Sequence, residues 1–172
     1  EMNKWLLMGT VLLAGCAGIP DGISAVETFE LSKYLGTWYE IARFDHSFER
    51  GLSNVSATYT LRDGGGVNVL NKGYDEEEGE WETAKGKAFF VDEESLGRFE
   101  VTFFAPFYGG YNIFMLDEEG YQYSMVCGND RSYLWILSRT KTLPKETLDK
   151  LVAKAKSLGF PVDDLIYVNQ DR

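Results

Sequence analysis

Gly97-Arg98-Phe99-Glu100-Val101-Thr102-Phe103-Phe104 alternates polar with apolar side chains over a full strand length. Successive side chains of a strand point to opposite faces. This period of two puts Phe99, Val101 and Phe103 on a buried face and Arg98, Glu100 and Thr102 on a wet one. The stretch 81–91 before it reads the same way: Lys85 and Lys87 face out, and Ala84, Gly86, Ala88 and Phe90 face in. Asp92 to Gly97 between them is a turn signal, so the two runs form an antiparallel hairpin.

The pattern extends in both directions. Strands are expected at 36–44, 53–61, 67–74, 81–91, 97–104, 110–116, 121–127 and 133–139. Turn-rich stretches separate them, among them Asp63-Gly64-Gly65-Gly66, Asp75 to Gly79, Pro106 to Gly110, Asp117 to Gly120 and Gly128 to Ser132. Short connections pair neighbours in an up-and-down order, as in an antiparallel sandwich or barrel. Asp45 to Leu52 is a larger loop that could cover a cavity mouth. In the second strand Ser56, Thr58 and Thr60 look outward, leaving Val55, Ala57, Tyr59 and Leu61 inward. In the seventh, Tyr123, Met125 and Cys127 are read as the inner face, opposite Gln122 and Ser124. The sixth and eighth strands are apolar on both faces, so one face of each should lie under another element.

That element is a helix over 143–158. Leu148, Leu151, Val152, Ala155 and Leu158 recur at helical spacing, with Pro144 at the start and Gly159 and Pro161 at the end. A lone amphipathic helix after eight strands has to pack outside the sheet. A short ninth strand, 165–168, follows.

Composition narrows the function. Across 172 residues, hydrophobic residues make up 44% and aromatics 15%, and the formal net charge is -10. The aromatic share suits strands and apolar binding cavities. Such acidity repels phosphate backbones, which argues against nucleic-acid binding. One histidine (His46) and two cysteines cannot furnish an ordinary zinc site or a disulfide framework. Gly64-Gly65-Gly66 lacks the Lys-Ser/Thr of a phosphate loop, and Asp75-Glu76-Glu77-Glu78-Gly79-Glu80 lacks the alternating spacing of a calcium loop. No metal and no cofactor are expected.

At the N-terminus, Lys4 precedes a short apolar run ending in Leu13-Ala14-Gly15-Cys16. The run is short for a bilayer span and has the anatomy of a secretory signal. Its end resembles the bacterial lipoprotein signal, in which the cysteine is acylated and becomes the first residue. The resemblance implies a signal peptide over 1–15, a lipidated tether over 16–28 starting at Cys16, and a domain over 29–172. Ala17, where an inner-membrane protein of this kind would carry Asp, implies the outer membrane of a Gram-negative cell. Glu1 ahead of the first Met is unexplained by this pattern.

Three motifs in the domain carry a family resemblance. Gly36-Thr37-Trp38-Tyr39 opens the first strand, Tyr111 to Leu116 ends in Asp117, and Trp135-Ile136-Leu137-Ser138-Arg139 forms the eighth. Together with Pro106-Phe107-Tyr108-Gly109-Gly110-Tyr111 and Asp130-Arg131-Ser132-Tyr133-Leu134-Trp135, they resemble the bacterial branch of the lipocalins over about residues 29–170. The second motif lacks the Thr-Asp-Tyr form of many animal members. The resemblance implies an eight-stranded calyx, with Trp38 closing its floor under Arg139 and with Gly36, Trp38 and Arg139 as fold markers.

It also sorts the remaining faces. Tyr111, Ile113, Met115, Leu137 and Trp135 are expected inside, and Leu134 and Ile136 under the helix. Glu40 and Ala42 share the parity of Trp38. The expected ligand-binding set is therefore Glu40, Ala42, Val55, Ala57, Tyr59, Phe90, Phe99, Val101, Phe103, Tyr111, Ile113, Met115, Tyr123, Met125 and Trp135. The ligand class implied is a fatty acid, lysophospholipid or similar amphiphile, carried or stored in the envelope. A charged Glu40 would disfavour a deeply inserted carboxylate and favour a zwitterionic lysolipid. Two alternatives stand beside this reading: a structural envelope lipoprotein with a filled barrel, and an enzyme using Cys127. Aromatics near loops, such as Phe48 and Phe107, could mark a mouth or a homodimer contact.

Overall fold

A computed structural model describes residues 18–172. Cys16 and the signal-like run lie outside the described residues. A single turn of helix, α1 (Leu31–Tyr34), leads into eight strands: β1 (Gly36–Arg43), β2 (Leu52–Leu61), β3 (Val67–Asp75), β4 (Glu80–Phe90), β5 (Arg98–Phe104), β6 (Phe107–Leu116), β7 (Tyr123–Cys127) and β8 (Leu134–Ser138). Helix α2 (Lys145–Ser157), a 3-10 turn (Val162–Asp164) and β9 (Ile166–Tyr167) complete the chain. Each of the first eight strands pairs antiparallel with its neighbour in sequence, β1 pairs with both β2 and β8, which closes the barrel, and β9 adds to β1. The expected elements are all present, with bounds shifted by a few residues.

Closure divides the apolar residues into two cores. The inner one gathers Phe29, Tyr34, Trp38, Tyr59, Val67, Val69, Ala88, Phe99, Ile113, Val126 and Leu137. The outer one lies between α2 and strands β1, β6, β7 and β8, where Leu151 and Ala155 meet Ala42, Phe114, Met125, Leu134 and Ile136. Beyond α2, Gly159 adopts φ +87, a conformation that favours glycine, and turns the chain so that Phe160 stacks on Phe114 at 5.4 Å.

Four register shifts interrupt the pairing, one of them in the β5–β6 hairpin between Val101 and Phe104. In β1 the register slips between Glu40 and Ala42, so Glu40 pairs Leu137 and faces in while Ala42 pairs Ile136 and faces out. Arg43 then pairs Trp135 and takes the inward parity. In β6 the slip falls between Ile113 and Met115, which sends Met115 outward opposite Met125. In β2 it falls between Ser53 and Ser56, around Asn54 at φ 52. An extra residue on one strand reverses the parity of everything after it.

Four of the expected lumen residues are therefore corrected. Ala42 and Met115 are turned out by bulges and join the outer core. Tyr123 and Met125 also belong to that core, with Cys127 beside them. In β7 both faces are buried, so apolarity does not mark the inside. The inward positions go to Val126, and to Ser124, whose hydroxyl lies 3.3 Å from Tyr34 Oη.

The N-terminal stretch, expected as a loose tether, is held against the barrel from Gly18 onward. Ile19 and Ile23 pack into the outer core. The Val26 amide donates to Ile113 O and the Phe29 amide to Ser95 O. Buried apolar side chains at this spacing give the segment its own anchorage.

Candidate functional site

The barrel has a closed end, at which the chain enters β1, and an open end carrying the loop 44–51 and the β3–β4, β5–β6 and β7–β8 connections. Trp38 is fully buried at the closed end, and its Nε1 donates to Tyr34 O at 2.8 Å. Arg139 covers it, 4.0 Å from the ring centre, and donates to the carbonyls of Lys33, Thr37 and Tyr121. Gly36, at φ +99, brings the chain in beneath this guanidinium. All three fold markers stand together at the closed end.

Above the floor the lumen is apolar and nearly full. Phe29, Phe90 and Phe99 pack edge-on and tilted around one another. Leu31, Tyr34, Tyr59, Val67, Ala88, Phe99, Val101 and Tyr111 enclose a cavity of about 20 Å³. That is room for one or two waters, against roughly 300 Å³ or more for a typical ligand pocket. Small side chains add little room here: Ala88 is buried among larger neighbours, and Ala42 lies outside the lumen.

A layer of hydroxyls crosses the middle. Tyr111 Oη lies 2.7 Å from Tyr34 Oη and 2.9 Å from Tyr59 Oη. Burial pushes the Tyr34 hydroxyl up to about 12 and those of Tyr59 and Tyr111 well above the ordinary tyrosine range. All three remain neutral at physiological pH, each hydroxyl able to donate or to accept.

Toward the open end the two sides of the lumen differ. On the β3–β5 side Ala84 is exposed although its partner Asn71 pairs in turn with inward-facing Ala57, and Gly109 is exposed opposite Val101. Phe103 lies against Gly86 so closely that a Cβ there would come within 2.7 Å of the ring. Glycine lets the ring lie flat on the wall, which keeps this half of the barrel open.

On the β1–β8 side a polar cluster fills the mouth. Arg43 Nε donates to Glu49 Oε2 at 3.1 Å, and its Nη2 donates to Glu49 O. Trp135 Nε1 donates to Glu49 Oε1. The loop 44–51 is thereby folded over the lumen, with His46 buried against Trp135 and Tyr133 and Phe48 exposed at its tip. Burial, and then the Glu49 carboxylate beside it, raise the Glu40 carboxyl well above the usual range. Burial would raise Glu49 too, but the close approach of His46 and Glu40, with the charge of Arg43, brings it below that range. Of the two carboxyls, Glu40 is therefore the one that keeps its proton to higher pH. Arg43 Nε also comes within 3.1 Å of Glu40 Oε1, but not in hydrogen-bonding geometry. Among the described residues, the buried side-chain polar atoms without a hydrogen bond all lie here: Glu40 Oε1, Arg43 Nη1 and both His46 nitrogens.

Of the expected site residues, Glu40, Val55, Ala57, Tyr59, Phe90, Phe99, Val101, Phe103, Tyr111, Ile113 and Trp135 share the lumen. Arg43, Tyr34, Leu31 and Val67 were not anticipated there. Val67 carries an ordinary alternation signal, being the partner of Ala88. Arg43 carries none, because only the bulge turns it inward. Cys127 stands apart from all of these, in the outer core, where burial pushes its thiol up to about 12.

A family model described as a lipocalin-like domain matches residues 29–170. The chain is 52% identical over 166 residues to the outer membrane lipoprotein Blc of Vibrio cholerae, covering 96% of this chain and 97% of that one. It is 53% identical over 151 residues to the outer membrane lipoprotein Blc of Escherichia coli K12, covering 88% and 85%. Among solved structures, insecticyanin from the tobacco hornworm Manduca sexta superposes with a TM-score of 0.70 at 21% identity, over 90% of this chain and 87% of that one. At that identity the likeness speaks for the fold alone.

Proposed function

The chain belongs to the lipocalin family, and from that premise we propose that it is a lipid-binding protein of the outer membrane, anchored through acylated Cys16, that takes a fatty acid, a lysophospholipid or a similar single-chain amphiphile into its barrel. The half-open lumen carries this reading: inward-facing Ala84 and Gly109 stand clear above an apolar interior. Burial of an acyl chain there gains about 0.8 kcal/mol per methylene. A chain of ~15 methylenes supplies about 12 kcal/mol before association and ordering costs.

The polar end of the amphiphile belongs at the mouth, beside the unpaired Arg43 Nη1 and the His46 nitrogens. Because burial favours the neutral form of Glu40, the objection that a charged Glu40 raises to fatty acids is weakened. The chemistry is binding rather than catalysis: Cys127, the candidate nucleophile, is buried as a neutral thiol under α2.

Titration of delipidated protein with palmitate and with lysophosphatidylethanolamine, followed by tryptophan fluorescence, tests the proposal. Trp135 borders the lumen and reports a bound chain. Saturation near one ligand per barrel is expected. No change with either lipid, together with bare protein in native mass spectrometry, would overturn it in favour of a structural lipoprotein, the reading that the 20 Å³ inner cavity favours.

A further inference from the structure

The described chain begins at the open end of the barrel. Asn112 Nδ2 donates to Gly18 O at 2.9 Å, and Gly110 lies so close that a Cβ there would sit 2.9 Å from the same oxygen. Asp21 O accepts from Arg131 Nη2, in the β7–β8 connection at the same end. Only at Val26 and Phe29 does the segment reach the closed end. Cys16 precedes Gly18 by two residues, a reach of at most about 7 Å even fully extended.

The rim beside this entry point is aromatic. Phe104 is 76% exposed and Tyr108 43% exposed, flanking the β5–β6 connection next to Gly110. Large aromatics left in water at a loop mark a contact surface, and at a membrane they settle in the headgroup layer. Phe48, 77% exposed, adds a third aromatic on loop 44–51, and the β3–β4 side of the rim is acidic. The β3–β4 tip carries Asp75, Glu76, Glu77, Glu78 and Glu80, and strand order places it across the mouth from the β7–β8 connection. Of the cations nearby, Arg50 is paired with Asp45, and Arg131 donates to Leu158 O and Asp21 O.

We propose that the barrel sits mouth-first and tilted on the bilayer that holds its anchor, with Phe104 and Tyr108 in the headgroup layer and the acidic tip turned away. The orientation rests on the acylation of Cys16 proposed above. A zwitterionic surface fits it, because a net charge of -10 opposes an anionic one. The same charge opposes a second copy of the chain meeting this one mouth to mouth. In this posture a lipid passes from the bilayer into the lumen along the Phe103–Phe104 edge without crossing water.

The test uses the full-length lipidated protein in phosphatidylcholine vesicles, with a polarity-sensitive thiol probe at F104C or, at the closed end, L61C. Both parent side chains are exposed, Leu61 by 66%, and native Cys127 is buried away from reagent. Brominated phosphatidylcholine should quench the F104C probe at least threefold more than the L61C probe. Equal quenching, or stronger quenching at L61C, would overturn the orientation while mass spectrometry of an acylated Cys16 peptide leaves the anchor standing. An unacylated peptide would overturn both. Shielding of the F104C probe before vesicles are added would place a second copy on the rim and also overturn the proposal.

Discussion

The guanidinium carbon of Arg139 lies 4.0 Å from the centre of the Trp38 ring, and the two side chains close one end of the barrel from opposite sides of the floor. The contact joins β1 to the residue following β8, the strands whose pairing completes the cylinder. A cation over an indole contributes roughly 0.5–2 kcal/mol, and its carbonyl hydrogen bonds add to that.

Arg139→Met should cost about 2–4 kcal/mol, since it removes the charge and leaves the carbonyls of Lys33, Thr37 and Tyr121 to water. Urea unfolding would show a lowered midpoint at unchanged slope. The lumen is untouched, so ligand stoichiometry should stay the same in the folded variant.

Ala84→Phe probes the open half of the barrel. Ala84 is exposed with inward parity, so the added ring enters empty space and costs little stability. Ligand affinity should fall at least tenfold, about 1.4 kcal/mol, if an acyl chain uses this space. The fluorescence titration on the variant reads it directly.

The Glu40–Glu49 pair predicts a pH dependence with opposite slopes. Glu40 is raised above 4.5 by burial, so the folded state holds its proton longer than the unfolded chain. Its contribution is complete below pH 4.5 and is lost as pH climbs to the raised folded value, at no more than about 1.4 kcal/mol per pH unit. Glu49 is lowered, so its contribution is present above 4.5 and lost as acid titrates the folded group. Glu40→Gln should flatten the alkaline-side decline, and Glu49→Gln the acid-side one. Urea midpoints from pH 3.5 to 9 would separate them.

Leu151→Ala tests whether the outer core is independent of the lumen. Leu151 is buried under the sheet, and truncation there should cost about 2–5 kcal/mol. Palmitate binding at a temperature where the variant is folded should change by less than threefold.

The strands were legible because turn residues and alternation agree along most of the chain, most clearly in β4 and β5. The helix was legible from Leu148, Leu151 and Ala155, which lie on one stripe. Two kinds of error remained. Bulges leave no compositional trace, so alternation alone turns Ala42 and Met115 inward and gives no sign that Arg43 points there. Where helix and lumen bury both faces of a strand, alternation has no polar side to read, and β7 was inverted: Ser124 is inside because Tyr34 gives its hydroxyl a partner, while Met125 is outside. The polar cluster at the mouth escaped notice because it depends on a loop folding back over Trp135.

Near the open end β1 and β2 part company, and Gln170 spans the gap: its Nε2 donates to Glu40 O and to Val55 O, each at 2.8 Å, across 130 and 115 residues of sequence. Contacts between such distant segments are the slowest to form, since the intervening chain must be ordered first. Without Gln170 this upper seam would lack its bridge, leaving strand edges open to pairing with another chain. A single amide near the C-terminus thus guards the barrel against edge-to-edge association, and does so without touching the lumen's apolar lining.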